Sequence, residues 1–214
     1  MIDPFKISVI IPTYNASDYL SDALDSIQRQ AVVPLETIVI DDGSTDDTGQ
    51  VVRQYPNVRY LYQSNEGPSA ARNRGIAMAK GNLLAFCDAD DWWVDDKLSL
   101  QVNRMKVHPT AQIVLGHLQR EWPDGRRAEP ELIFSFECSL IKREVFDQVG
   151  LLDETIRFHE DWDWFLRVKE AGVRVNIQPD VVAFYRQHDR NTSKQESSLN
   201  HNVARLIKRA RDRR

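Results

Sequence analysis

Three carboxylates fall within four positions at Asp88, Asp90 and Asp91, directly after the apolar run 83–87 and directly before two tryptophans. Like charges this close cost Coulomb energy unless a cation or a set of donors neutralises them. Asp88 and Asp90 bracket one small residue, Ala89, so both can reach a single ion from a sharply turning loop. Oxygen ligation by few protein groups suits Mg²⁺ or Mn²⁺, whose remaining positions go to water and to a substrate phosphate. Asp91 is equally suited to capping the helix that follows. A second acidic turn, "DDGS" (41–44), follows the apolar run "TIVI". Glu160 and Asp161 open a helix-period segment, where the helix dipole alone accounts for acids without any catalysis. Neither acidic turn is a calcium loop. Counted from Asp88, the positions that need Gly and Glu hold Trp93 and Ser99; counted from Asp42 they hold Asp47 and Arg53.

The elements that must carry these residues alternate. "KISVII" (6–11), "TIVI" (37–40), "VRYL" (58–61) and "LLAFC" (83–87) are continuous apolar runs of strand length. Between them lie helix-period segments: Leu20, Ala23, Leu24 and Ile27 at i, i+3, i+4 and i+7, with Ser17 or Asp18 as cap; 48–55; and 67–81, with Pro68 near its start and Gly81 past its end. Strands buried on both faces and separated by helices predict a mostly parallel α/β sheet with right-handed crossovers. The second half predicts a helix over 97–109, a strand at 113–118 and a short strand leading into a helix across 136–146. A helix over 160–172 and strands at 173–177 and 181–186 complete it. Along 160–172, Trp164, Phe165, Val168 and Ala171 share one face. No linker separates the halves, so a single domain is expected. In an open α/β sheet, ligands bind beyond the carboxyl ends of the strands. "PTYN" (12–15), "DDGS" and "DADD" (88–91) stand at three such ends, so neighbouring strands would bring at least four carboxylates to one crevice.

Composition narrows the class. The 214 residues carry a net charge of -4, with +5 concentrated in 203–214 and -9 on the rest, which argues against a nucleic-acid enzyme. No apolar run approaches the ~20 residues that span a bilayer, and "KISVIIP" is too short for a secretory signal. Cys87 and Cys138 form no close-spaced pair, so a reducing, cytoplasmic setting is the default. In the tail, Val203, Leu206, Ile207 and Ala210 fall at helical spacing among basic residues. Such a basic helix could lie on an anionic membrane holding a lipid-linked acceptor, or pack on its own domain.

The strings "VIIPTYN", "IVIDDGSTDDT", "NEGPSAARNRGIAMAKGNLLAFCDADD" and "HEDWDWFLRV", in this order, resemble the family 2 glycosyltransferases of the GT-A fold, over roughly residues 6–190. The resemblance implies a single α/β GT-A domain over 1–190, with an acceptor-side second half, followed by a basic helical tail over 191–214. It places Pro12, Thr13 and Tyr14 beside the nucleotide, Asp41 and Asp42 at its base, and Arg72 reaching toward it. A carboxylate suits the N3–H of a pyrimidine such as uracil, which favours a UDP-sugar donor. "DAD" matches the family's metal-binding motif, with Asp88 toward ribose or metal and Asp90 the stronger ligand. "HED" matches the site of the catalytic base, here Asp161. "YRQH" (185–188) resembles a segment that supplies a third metal ligand or a phosphate contact, for which His188 and Arg186 are the candidates. Trp162 and Trp164 could stack on a sugar, though Trp164 has the spacing of core.

The implied activity is inverting, metal-dependent transfer of a sugar from a nucleotide diphosphate to a carbohydrate or lipid-linked hydroxyl, in polysaccharide, cell-envelope or glycolipid synthesis. Many relatives continue beyond "YRQH", so the acceptor side is expected to be incomplete or to be completed by a partner. "REWPDGRRAEPE" (120–131) matches no motif and lies where relatives vary with their acceptors. Three rivals remain. A sugar-nucleotide pyrophosphorylase would carry a Gly-rich, Arg-containing loop after the first strand. A DxD phosphatase would place its nucleophile on that strand. A non-catalytic nucleotide-sugar-binding subunit would lack the base.

Overall fold

The computed structural model describes residues 5–156, 159–189 and 191. The basic tail predicted over 191–214 lies, Asn191 apart, outside the described residues. One eight-stranded sheet runs through the molecule, flanked by helices on both faces. Its parallel half is β3 (Val58–Tyr62), β2 (Glu36–Asp41), β1 (Ile7–Thr13) and β4 (Leu83–Phe86), in that spatial order. The order continues through β7 (Ser139–Lys142), antiparallel to both neighbours, then β6 (Ile113–Glu121), β8 (Val175–Arg186) and the short β5 (Trp92–Trp93). The helices are α1 (Leu20–Gln28), α2 (Thr48–Val52), α3 (Pro68–Met78), α4 (Lys97–Val107), α5 (Glu144–Val149) and α6 (Glu160–Glu170).

Side-chain alternation divides the core. Along β1, Ile7, Val9 and Ile11 join the cluster that includes residues of α1 and α4, while Ile10 joins the one with α3, α5 and α6. Every residue of β1 is buried, which is why its sequence is a continuous apolar run and not an alternating one. The fold is the expected single α/β domain, and β2, β1 and β4 are neighbours as the crevice requires.

Several local expectations are corrected. Neither Ser17 nor Asp18 caps α1: Tyr19 takes that position without a side-chain bond, because both Tyr19 and Leu20 donate backbone N–H to Ala16 O at 3.0 Å. The segments 173–177 and 181–186 form one strand, β8, whose register against β6 shifts around His117. Gly116 permits that approach, since a Cβ there would stand 2.5 Å from Val182 Cγ1 and 3.1 Å from Asp180 O. Val182 is branched and fully buried and cannot swing away. Gly116→Ala should therefore cost about 1–3 kcal/mol, read as a lower denaturant midpoint with an unchanged slope. A stability equal to the parent's would show that β6 and β8 can separate without loss. Ala171 is exposed and drops off the apolar face of α6, whose buried residues are Asp163, Trp164, Phe165 and Val168.

Candidate active site

The crevice is built where β1, β2 and β4 end. Thr13 lies opposite Asp41, and Asp42 donates its N–H to Thr13 O at 2.8 Å. Cys87, which leads into the acidic loop, donates to Ile10 O at 3.1 Å. The first two turns are stitched together: Asn15 N donates to Ser44 Oγ and Thr45 N to Asn15 Oδ1, both at 2.8 Å. Gly43 has φ +88°, and a Cβ there would sit 2.9 Å from Asn65 N, so the "DDGS" turn needs glycine at this point. Of "PTY", Pro12 and Thr13 are buried and only the ring of Tyr14 is open. The Thr13 hydroxyl has no partner among the described residues.

Asp41 and Asp42 both stand at the crevice and both are already hydrogen-bonded. Asp41 accepts from Ser44 N at 2.8 Å and from Tyr60 Oη at 2.5 Å. Asp42 accepts from Gln63 Nε2, Glu66 N and Gly67 N at 2.7–2.9 Å, so it clamps the 63–67 loop that leads into α3. Burial and the Asp41 carboxylate push the Tyr60 phenol well above its ordinary value.

Arg72, on α3, is buried, with only 5% of it exposed. Its Nη2 donates to Asp88 Oδ1 at 2.6 Å and its Nη1 to Glu160 Oε1 at 2.8 Å. Burial works against its charge, but Asp88, Glu160 and Asp161 outweigh that and hold its pKa above the usual arginine value. One guanidinium thus ties the end of β4 to the start of α6. Glu160 is committed to that bridge. Its neighbour Asp161 accepts from Phe136 N at 3.1 Å, and its Oδ1 is shut from solvent with no partner among the described residues. Burial raises the Asp161 carboxyl to about 7, with Glu160 and Asp88 adding to the rise and Arg72 opposing it. A carboxylate with one uncommitted oxygen and that affinity for protons has the properties of a general base at neutral pH.

On the other flank, His188 Nε2 lies 3.0 Å from Asp90 Oδ2. Burial and the nearby Asp88 raise the Asp90 carboxyl, while His188 opposes the shift. Two ligands at right angles on an ion with bonds of ~2.1 Å stand about 3 Å apart, so this pair fits adjacent positions on one Mg²⁺ or Mn²⁺. Asp88, a third of its side chain exposed, already gives its Oδ1 to Arg72.

Sequence reasoning missed a second acidic group. Among the described residues, the His, Cys, Asp and Glu side chains that bring three possible ligand atoms within 4.8 Å of one another are Asp88, Asp91 and Glu137. Asp91 and Glu137 are buried and face each other, and burial drives both carboxyls well above their ordinary values. Asp91 Oδ2 and Glu137 Oε1 have no partner among the described residues. Lys97, buried beneath them, donates to Glu137 O at 2.8 Å, and burial lowers its own pKa to about 8. Asp91 is therefore no helix cap: α4 begins six residues later, and Asp91 Oδ1 accepts from Arg186 N at 2.7 Å. Trp164 is core, its Nε1 donating to Gly150 O, whereas Trp162 is 45% exposed. Cys87 and Cys138 are buried free thiols.

Among structures, the chain is similar to S. aureus TarS 1-349 in complex with UDP-GlcNAc. The TM-score is 0.82 at 21% identity, over 96% of this chain and 65% of that one. Against the same fragment in complex with UDP the TM-score is 0.74 at 22% identity, over 85% and 60% of the two chains. Among curated sequences it is 38% identical over 159 residues to the glycosyltransferase GlyA of Streptococcus pneumoniae serotype 4, covering 72% of this chain and 22% of that protein. It is 49% identical over 90 residues to the uncharacterized glycosyltransferase YibD of Escherichia coli K12, covering 40% of this chain and 26% of that protein. The chain thus spans about a quarter or less of these two relatives. The model of the family described as glycosyl transferase family 2 matches residues 8–160, which carry "PTYN", "DDGS", Arg72 and "DADD". The chain belongs to glycosyl transferase family 2.

Proposed function

We propose that this chain is the catalytic domain of an inverting, metal-dependent glycosyltransferase. It would move a sugar from a nucleotide-diphosphate donor, most readily a UDP-sugar, to an acceptor hydroxyl in cell-envelope polysaccharide or glycolipid synthesis. The observation that carries the proposal is the Arg72 bridge, which ties Asp88 of the acidic loop, two residues before the Asp90 that meets His188, to Glu160, the neighbour of Asp161. Family membership and the UDP and UDP-GlcNAc complexes of TarS support the donor class.

In this reading Asp88, Asp90 and His188 hold the ion, which when bound compensates the charge gathering on the departing diphosphate. Asp161 takes the acceptor hydroxyl's proton on its carboxylate as that hydroxyl oxygen bonds to the anomeric carbon. The bond from that carbon to the diphosphate oxygen breaks, its electron pair leaving with the nucleotide. Attack opposite the leaving group inverts the anomeric centre. Arg72 keeps Glu160 neutralised, so that Asp161 alone offers a basic oxygen.

Thermal shift with UDP-, GDP- and dTDP-sugars, with and without Mn²⁺, followed by an assay of nucleotide release, tests this. Mn²⁺-dependent stabilisation and turnover by a UDP-sugar are expected. Stabilisation without turnover would favour a nucleotide-sugar-binding subunit, and neither would remove the donor assignment. Base recognition gives a narrower expectation. At least one of Asp41→Asn and Asp42→Asn should lose about 1.5–3 kcal/mol of UDP affinity by calorimetry, the range for a hydrogen bond to a charged group. If both bind UDP as the parent does, these carboxylates serve only the Tyr60 bond and the 63–67 clamp.

A further inference from the structure

Six side chains form a continuous stack from the segment 120–131 to the acidic loop. Arg127 Cζ lies 4.3 Å from the ring centre of Phe184, and Phe184 stacks on Trp92 at 5.5 Å. Trp92 carries the guanidinium of Arg186 at 4.4 Å, which also lies over Tyr19 at 5.2 Å. Tyr19 stacks on His188 at 4.6 Å with 21° between the rings, and His188 meets Asp90. Arg127 comes from a return of chain that pairs with β6, Glu121 opposite Arg127 and Leu118 opposite Glu131. The unassigned stretch 120–131 is therefore packed onto the strand end that delivers His188.

Arg186 is the centre of this stack. Its Nε donates to Asp90 O at 2.9 Å, its Nη2 to Asp22 Oδ2 at 2.6 Å, and its backbone N–H to the buried Asp91. Hydrogen bonds fix the plane of the guanidinium while two aromatic rings fix its position. A lysine could supply the charge but not the planar fork and stacked face together. A cleft of about 320 Å³ opens beside these groups, lined among others by Tyr19, Trp92, Trp122 and Arg186. Tyr19 and Trp92 are already stacked within the protein, and Trp122 carries Arg126 at 5.5 Å, so the cleft is a poor platform for a sugar ring. Its aromatics serve the protein's own architecture.

We infer that Arg186 is a positioning residue: sandwiched by Trp92 and Tyr19 and bonded to the Asp90 backbone, it sets the Asp90–His188 separation that receives the ion. The inference rests on the metal reading of that pair. Outer partners that orient metal ligands are worth about 10–100-fold in metal affinity. Charge and geometry predict opposite signs here. Removing a cation beside a cation site should tighten Mn²⁺ binding on Coulomb grounds, whereas loss of positioning should weaken it.

The experiment is calorimetric Mn²⁺ titration of the full chain with saturating UDP, with melting curves for each variant. His188→Ala should lose affinity, and Arg186→Gln should lose about 10–100-fold despite shedding a positive charge. Arg186→Lys should bind as poorly as Arg186→Gln. Should the Arg186 variants fail to fold, Trp92→Leu and Trp92→Phe carry the test. The leucine variant should lose roughly tenfold, at the low end of the outer-partner range, and the phenylalanine variant, which keeps a ring, should stay near the parent. Parent-like or tighter binding by Arg186→Gln, alongside a weakened His188→Ala, would overturn the positioning role and leave the metal site standing. If the parent binds no Mn²⁺, or His188→Ala binds it normally, the metal reading fails and takes the positioning role with it.

Discussion

Asp161→Asn should lower sugar transfer by roughly 10²–10⁴ while Mn²⁺ and UDP affinities stay within about threefold, because the base touches the acceptor and not the nucleotide. A sugar hydroxyl is a poor nucleophile at neutral pH, so the loss of a proton acceptor falls directly on turnover. Asparagine keeps the size of the side chain and can still accept the N–H of Phe136, so the fold has no reason to fail. Glu160→Gln should cost less in turnover, since Glu160 bonds Arg72 and faces no uncommitted position. If Asp161→Asn transfers at the parent rate, the base lies elsewhere.

The raised carboxyl of Asp161 adds a pH signature of definite sign. Its folded-state value of about 7 stands above the unfolded value of 3.8. The parent's kcat/KM, which reports the free enzyme, should rise as pH passes through about 7 and level off above it, because only the deprotonated form accepts a proton. Stability runs the other way. Between pH 4 and 7 the folded chain holds a proton that the unfolded chain has released, so Asp161 removes stability as pH climbs through that window. Asp161→Asn removes the buried charge. It should therefore melt above the parent at pH 8 and level with it near pH 4. A variant both dead and more stable at alkaline pH distinguishes a functional carboxylate from a structural one.

Asp90→Ala should abolish the Mn²⁺ contribution to UDP binding and leave the melting temperature unchanged or slightly higher. The cost in metal affinity should exceed the ~10–100-fold that loss of an outer partner brings. Asp90 supports little of the fold, since burial and Asp88 both disfavour its charge. Calorimetry with Mn²⁺ present and absent reads the effect. Asp91→Asn and Glu137→Gln complete the experiment, because among the described residues the ligand atoms of Asp88, Asp91 and Glu137 converge. If those variants lose the ion while Asp90→Ala keeps it, the ion sits in the deeper trio. We expect the reverse, since Asp90 has His188 beside it as a second ligand, whereas Lys97 is buried beside Glu137 and donates to its carbonyl.

What the sequence by itself determined is local. Strands β1 to β4, helices α1 to α6 and their order follow from continuous apolar runs of strand length, from 3.6-period segments and from punctuation such as Pro68, each legible within a dozen residues. The placing of "PTYN", "DDGS" and "DADD" at one crevice follows too, once parallel neighbours are granted. Tertiary structure decided everything that depends on who sits opposite whom. Arg72 reads as a surface helix residue until Asp88 and Glu160, 16 and 88 residues away, close around it. Glu137 carried no signal at all, because a buried acid is tolerated only through a partner supplied by another strand end, here Asp91. Asp90 and His188 are 98 residues apart and meet only because β8 ends beside the acidic loop. The two-residue β5 is too short for any period, and it exists because Trp92 and Trp93 pair with Phe184 and Ala183. Apolar burial is written in the spacing along one element, whereas a charge inside the protein depends on a partner that no local pattern specifies.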